Sequence, residues 1–107
     1  LYELGANLNI RNMHGQTTVY MAAFRGHKQA IRTLGELGAN VNTPAKSGIT
    51  PVFTAAGEGH VQVIRAVSEL GANVNTPDKE GVTPVFMAAQ GGHVEAIRKL
   101  CELGKFK

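Results

Sequence analysis

Three histidines come closest to a chemical motif in this sequence. His27, His60 and His93 each follow a glycine, and they recur at a constant spacing of 33 residues. Such a ladder suggests metal binding, but equivalent residues on packed helices lie roughly 8–10 Å apart, whereas the nitrogen ligands of one zinc ion each lie about 2 Å from it. We therefore predict no metal site, and we expect these side chains to hydrogen-bond neighbouring backbone at turns.

The other reactive side chains do not form a catalytic motif. The single cysteine, Cys101, occupies the place that Gly35 and Ser68 hold at the same spacing, so we expect a buried, inert thiol. Glycines at 57, 59, 91 and 92 precede a helix, but no Lys-Ser or Lys-Thr pair follows them, as a phosphate-binding loop requires. No Ser-His-Asp set and no paired carboxylates are present. We predict that the protein is not an enzyme, with no catalytic residue and no cofactor.

Charged pairs also recur with the same period. An arginine is followed four residues later by a glutamate, which predicts pairs on a solvated helix face worth about 0.2–0.5 kcal/mol each. We expect a charge ladder, within a helix or between repeats, rather than a phosphate site. The pairs are Arg32 with Glu36, Arg65 with Glu69, and Arg98 with Glu102.

An internal repeat in the sequence predicts the helices that carry these residues. The stretch GVTPVFMAA at 81–89 has counterparts at 48–56 and 15–23, and a Gly-Ala-Asn-x-Asn marker keeps the same step. A fixed period of this length predicts a stacked array of helical units. We divide the single array 1–107 into the tail of a truncated unit (1–9) and units at 10–42, 43–75 and 76–107. We expect the chain to be a piece of a longer array.

Local signals within a unit predict two helices. In the last unit, Thr83 is a good N-cap and Pro84 suits the first helical position. Val85, Ala88 and Ala89 then form one apolar stripe. Glycines end this helix, and a longer helix with aliphatic residues at helical spacing follows. A helix pair of this size cannot bury both faces alone, so neighbouring units must stack on it.

These residues resemble the ankyrin repeat over essentially the whole chain. The resemblance implies an all-α solenoid of stacked antiparallel helix pairs with projecting hairpin-like turns. It also implies a non-enzymatic scaffold that binds other proteins through the tips and the concave face of the first helices. The matching residues of the last unit are Asp78, Gly81, Thr83, Pro84, Ala88, Ala89, Gly92 and His93.

Several positions depart from the family pattern. Tyr20, Phe53 and Phe86 stand where the family has histidine, and we expect the two phenylalanines to pack as hydrophobes. We also expect the corners at Thr18, which replaces proline, and Ala45, which replaces aspartate, to be less regular. The double leucine of the second helix becomes Leu34-Gly35, Val67-Ser68 and Leu100-Cys101, with Leu37, Leu70 and Leu103 making up the lost volume.

Composition narrows the class of protein. The chain has 107 residues, a hydrophobic fraction of 43% and a formal net charge of +3, which indicates a folded rather than a disordered chain. Its basic residues are dispersed, which makes nucleic acid an unlikely main partner. The longest apolar run, residues 19–24, is too short to span a bilayer. One thiol suits a reducing compartment, so we expect an intracellular, cytoplasmic protein.

Positions that vary between units, in the tips and after the first helices, are the candidates for partner binding. We favour Met13, Phe24 and Arg25 as the strongest, because aromatic and arginine residues dominate interface energetics. The alternatives are electrostatic binding of nucleic acid or acidic lipid through Arg11, Arg25, Lys28, Lys46 and Lys79, or a structural spacer or designed array. The candidates are Met13, His14, Gln16, Phe24, Arg25, Lys46, Ser47, Ile49, Glu58, Lys79, Glu80, Val82 and Gln90.

The two ends of the array lack polar capping units. We expect exposed apolar surface around Leu1, Leu4, Ile97 and Leu100, and end-to-end stacking between copies as one consequence.

Overall fold

The computed structural model describes residues 6–104, and within them the fold consists of six helices with no strand. Connections of two or three residues join successive helices into three antiparallel pairs. The all-α architecture predicted from the repeat is therefore confirmed. The helices are α1 (Thr18–Arg25), α2 (Lys28–Glu36), α3 (Pro51–Glu58), α4 (Val61–Glu69), α5 (Pro84–Gln90) and α6 (Val94–Gly104).

A threonine cap starts the first helix of every pair. Thr17, Thr50 and Thr83 have extended backbone, and each side-chain oxygen accepts a hydrogen bond from the backbone N–H three residues later. This bond satisfies one of the backbone donors that a helix start leaves unpaired. The expectation of a less regular corner at Thr18 is wrong, because α1 begins as the others do. The Thr18 hydroxyl donates instead to the carbonyl of Leu8 (2.9 Å).

The pairs stack in sequence order into two layers of helices. α1 packs on α3 and α3 on α5, while α2 packs on α4 and α4 on α6. Alanines at Ala23, Ala55, Ala56 and Ala88 are completely buried between the first helices, where their small side chains let the backbones approach closely. The stack is elongated, with extents of 42 × 25 × 24 Å.

Asparagines join the successive turns at residues 6–9, 38–42 and 71–75. The Asn9 side-chain oxygen accepts a hydrogen bond from the backbone N–H of Asn40 (3.1 Å), and Asn42 accepts one from Asn73 (3.1 Å). The Oδ1 of Asn40 also accepts from the backbone of Asn42 (2.8 Å). The Gly-Ala-Asn-x-Asn marker of the sequence thus forms a ladder of hydrogen bonds that fixes the register of the stack.

The apolar residues that depart from the family pattern differ in burial between the middle and the end of the stack. Phe53 packs as expected, with only 4% of its surface exposed, but Phe86 is 57% exposed, so that expectation is wrong. Leu70 fills the space beside Gly35, where an added Cβ would lie 2.6 Å from its Cδ1, which confirms its compensating role. Leu37 is 64% exposed, so the same expectation is wrong for Leu37. Leu100 is buried, against expectation, and Leu1 and Leu4 lie outside the described residues.

The repeated charges pair between helices or one turn apart. Arg32 forms an ion pair with Glu69 of the next pair (3.1 Å). Arg98 lies 3.7 Å from Glu95 and Lys99 lies 2.6 Å from Glu102 within α6. Arg32 therefore pairs with the next repeat rather than with Glu36, its neighbour four residues later.

Candidate functional site

Two of the three histidines join neighbouring helix pairs. The Nε2–H of His60 donates to the carbonyl of Phe24 (3.0 Å), and that of His93 donates to the carbonyl of Gly57 (3.1 Å). The predicted backbone hydrogen bonds are confirmed for these two residues. His93 also packs closely against Gly59, because a Cβ at Gly59 would lie 2.6 Å from Nδ1 of His93. The φ of Gly59, +75°, also favours glycine at this position. Among residues 6–104, no group of His, Cys, Asp and Glu is arranged to hold a metal ion.

Cys101 is exposed, so the expectation of a buried thiol is wrong. The equivalent residues Gly35 and Ser68 are half-buried, and Leu70 of the next pair lies over Gly35. Cys101 belongs to α6, on the outer side of the third pair, where no described residue covers it. Its exposure therefore reflects its position in the stack rather than a reactive site.

The hairpin tips are held by side-chain hydrogen bonds. Asn12 accepts from the backbone N–H groups of His14 (2.9 Å) and Gln16 (3.0 Å). Asp78 accepts in the same way from Glu80 (2.9 Å) and Val82 (3.0 Å). These bonds limit the conformations available to the tips, so the exposed side chains there project from an ordered backbone.

The tip at Ala45 keeps the same backbone geometry without such a side chain. Its N–H donates to the carbonyl of Ile49 (2.9 Å), and the N–H of Gly48 donates to the carbonyl of Ala45 (2.9 Å). The equivalent bonds occur in the tips of Asn12 and Asp78. The expected irregularity at Ala45 is therefore wrong, because the backbone bonds alone maintain this corner.

Successive tips are also joined to one another. The backbone N–H of Lys46 donates to the carbonyl of His14 (3.0 Å), and that of Lys79 donates to the carbonyl of Ser47 (3.2 Å). Arg11 donates to the carbonyls of Gly15 (3.2 Å) and Pro44 (3.0 Å). The tips therefore form a continuous edge, and Arg11 contributes to its structure.

A cavity of about 310 Å³ lies between the first two tips. It brings together four predicted candidates, His14, Gln16, Lys46 and Ser47, with Ala45 and the ring of Tyr20. Tyr20 was not predicted to lie at a site. Its position could have indicated this role, because Tyr20 stands where the family has histidine. A polar aromatic side chain at the base of a tip can line such a cavity.

The favoured trio is divided between two places. Met13 is 77% exposed on its tip, whereas Phe24, 41% exposed, and Arg25 end α1. A helix of eight residues is about 12 Å long at 1.5 Å per residue, so α1 separates the two places. The backbone at Phe24 is nevertheless held in place, because its carbonyl accepts the hydrogen bond of His60. The trio therefore consists of two separate exposed points rather than one cluster.

The other candidates lie along the remaining tips and first helices. Ile49 and Val82 are half-buried beside their tips, so only part of each side chain is accessible. Exposed candidates are Glu58, Lys79, Glu80 and Gln90.

A larger groove, of about 570 Å³, lies between α1 and α2 and was not predicted as a site. Met21, Ala22, Ala30 and Leu34 contribute to its walls. The equivalents of Ala30 and Leu34 in the second pair are completely buried. They are Val63 and Val67.

Across residues 6–104, no helix has the length and hydrophobicity needed to cross a membrane. A family model described as ankyrin repeats (3 copies) matches residues 37–107. A comparison with curated protein sequences found no matching relative. Ankyrin repeats are in general protein–protein interaction modules and are typically without enzymatic activity. Because the model covers about two thirds of the chain and the helix pairs, tips and turns have the geometry described above, the chain belongs to the ankyrin-repeat family.

Proposed function

We propose that the chain is a non-enzymatic scaffold that binds a protein partner on the concave side, through the hairpin tips and the exposed ends of the first helices. One observation carries this proposal: Met13 and Phe24 are large apolar side chains exposed on hydrogen-bonded backbone. The backbone that carries these side chains is already held by hydrogen bonds, so binding costs little backbone conformational entropy. More of the contact energy therefore appears as affinity. The cavity at Tyr20 lies beside the tips and offers a place for a partner side chain.

Electrostatic binding of nucleic acid or acidic lipid receives less support. Arg11, one of the five basic residues that it needs, hydrogen-bonds to carbonyls of its own chain. Lys46 and Lys79 are interspersed with Asp78 and Glu80 along the tips. A salt titration separates the two functions, because counterion release makes phosphate binding fall steeply with salt, whereas an apolar protein interface depends on it weakly.

The test replaces Met13, Phe24 and Arg25 together by Ala. All three side chains are exposed, so the variant should fold, which circular dichroism checks. Proteins captured by the unchanged chain are identified by quantitative mass spectrometry and their affinities are then measured individually. We expect the specific partner to bind at least about tenfold more weakly, since hot-spot residues contribute about 2 kcal/mol or more.

A matched variant replaces Gln62 and Arg65 by Ala. These side chains are exposed on the second helices, away from the tips, and one of them also carries a positive charge. The partner should bind this control as it binds the unchanged chain. Equal capture by all three proteins would exclude Met13, Phe24 and Arg25 from the binding site.

A further inference from the structure

We infer that the cavity between the first two hairpin tips binds the carboxylate of an aspartate or glutamate of the partner protein. The inference rests on the proposed function, because the partner supplies the acidic side chain. We name this cavity of about 310 Å³ the tip cavity. It lies between the first two repeats, whose helices α1 and α3 pack directly on each other. Its lining residues are His14, Gln16, Tyr20, Ala45, Lys46 and Ser47.

Tyr20 brings an unpaired hydroxyl to the tip cavity. The residue is only 8% exposed, and its hydroxyl hydrogen-bonds to no described residue. A buried tyrosine hydroxyl usually has a partner. Among residues 6–104, every side-chain oxygen that is shut off from solvent has one. The Tyr20 hydroxyl is therefore open to solvent, and the tip cavity that the residue lines is where a ligand can reach this donor.

Lys46 brings the positive charge. Its backbone N–H donates to the carbonyl of His14 (3.0 Å). Its stem packs on the first tip, because an added Cβ at Gly15 would lie 3.1 Å from Cγ of Lys46. The ammonium group forms no ion pair or hydrogen bond with a described residue. Because a lysine ammonium is a donor only, the group that pairs with it must be an acceptor.

The remaining lining groups also suit an acceptor. None of the six lining residues, all in the described part of the chain, is acidic. The side-chain oxygen of Gln16 accepts from the amide of Asn12 (2.8 Å), which leaves the NH₂ group of Gln16 available. The hydroxyl of Ser47 and the ring of His14 can each supply a further donor. A carboxylate, which only accepts, complements this set of donors.

Size and charge favour a single carboxylate over a phosphate group. A volume of about 310 Å³ is at the lower end of ligand pockets and suits one side chain. Lys46 is the one permanent cation among the six described lining residues, whereas a phosphorylated side chain carries a charge of about −1.5 to −2. Arg11, whose guanidinium would suit phosphate, already donates to the carbonyls of Gly15 and Pro44.

The equivalent junction between the second and third tips does not suit an anion. Lys79 stands where Lys46 does in the repeat, and its Cγ packs on a glycine of the preceding tip in the same way. Phe53 replaces the tyrosine there, so the hydroxyl is missing. Acidic residues flank the lysine on both sides. The flanking residues are Asp78 and Glu80. The second junction is therefore a control within the same molecule.

The charge of the chain favours the same end. Residues 58–104 contain more acidic than basic residues, whereas the reverse holds for residues 6–57. A region with an excess of one charge attracts ligands of the opposite charge. We therefore expect the partner segment that reaches the tip cavity to be acidic. The charged residues of 6–57 are Arg11, Arg25, Lys28, Arg32 and Lys46, with Glu36 as the one acid.

Titration of the full chain with a blocked amino acid, followed by two-dimensional NMR of the backbone amides, tests the site without a partner. The ligand is N-acetyl-glutamate N-methylamide, and the neutral glutamine analogue is its control, both at constant ionic strength. We expect saturable shifts at Gln16 and Lys46 with a Kd on the order of 10 mM, and none at Lys79. No saturation below about 100 mM, or an equal response to the glutamine analogue, would overturn the inference.

Two variants test the named groups. Tyr20→Phe removes only the hydroxyl, and Lys46→Gln removes the charge. Neither group hydrogen-bonds to a described residue, so both variants should fold, which circular dichroism checks. Each should weaken binding of the blocked glutamate at least about threefold, because a charge-assisted hydrogen bond is lost. Arg65→Gln removes the same charge from an exposed site of α4 and should leave binding unchanged. Equal effects of Lys46→Gln and Arg65→Gln would contradict the proposed site.

Two further measurements separate this inference from its alternatives. A larger response to inorganic phosphate than to the blocked glutamate, at equal ionic strength, would assign the tip cavity to phosphate groups and overturn the carboxylate. Lys46→Gln should also weaken the captured protein partner at least about threefold, whereas Arg65→Gln should not. Unchanged partner affinity would place the tip cavity outside the interface and overturn the inference. The proposed function would survive that result, because none of its test residues lines the tip cavity. Those residues are Met13, Phe24 and Arg25.

Discussion

At the scale of single residues, polar side chains hold one helix pair to the next. His60 and His93 donate to carbonyls of the preceding pair, and Asn9 and Asn42 accept from the backbone of the following one. Among the described residues, no buried side-chain nitrogen or oxygen lacks a partner. A residue of this kind therefore stabilises the chain only where a neighbouring pair supplies the other half of its hydrogen bond.

This dependence on a neighbour predicts different effects for two equivalent histidines. His60→Ala should lower the free energy of unfolding by about 0.5–1.5 kcal/mol, because it removes the bond to the carbonyl of Phe24. His27→Ala should change it by less than about 0.5 kcal/mol, because His27 is exposed and its side chain hydrogen-bonds to no described residue. Urea denaturation at low protein concentration measures both values. Equal losses would mean that the histidine acts within its own turn.

At the scale of helices, each element is short and depends on its cap and its neighbours. The helices have 7 to 11 residues, and isolated helices of this length are marginal in water. The threonine caps and the burial of one face against adjacent helices compensate for this. Pro51 and Pro84 start α3 and α5, but α1 begins equally well at Thr18, so the cap rather than the proline sets the helix start.

The contribution of the cap can be measured in the central pair. Thr50→Ala should lower the free energy of unfolding by about 1 kcal/mol, because the N–H of Phe53 loses its acceptor. Thr50→Ser keeps a hydroxyl at the same place and should cost clearly less. Thermal and urea denaturation report the two values. If serine were as costly as alanine, the buried methyl group of Thr50 would be the stabilising feature instead.

At the scale of the whole molecule, position in the stack decides how much each repeated residue contributes. Ile64 is completely buried in the central pair, whereas Ile97, its equivalent in the third pair, is half-buried. The stability of such an array is approximately a sum of terms within pairs and between neighbours. The central pair has two neighbours among the described residues, and each end pair has one.

Two equivalent truncations test this additivity. Ile64→Ala should cost about 2–5 kcal/mol, the range for a fully buried aliphatic residue. Ile97→Ala should cost less than half as much, because part of its side chain already contacts solvent. Both substitutions change helix propensity equally, so urea denaturation compares burial directly. Comparable losses would mean that α6 is as enclosed as α4.

The sequence by itself determined the features that depend on a few neighbouring residues and recur with the period. These are the helix type of each element, the threonine caps, the glycine turns and the approximate set of tip residues, four of which meet in one cavity. Hydrogen-bonding groups within three or four residues of each other fix such features. Repetition then makes each signal visible three times.

Only the tertiary structure decided which equivalent residues are buried or paired. Phe53 and Phe86 are the same residue type at the same place in the repeat, yet one is buried and the other exposed. Arg32 pairs with Glu69 rather than with Glu36, and Cys101 is exposed where a buried residue was expected. Burial and ion pairing depend on what packs against a residue from another helix pair, and the residues beside it in the chain do not specify that contact.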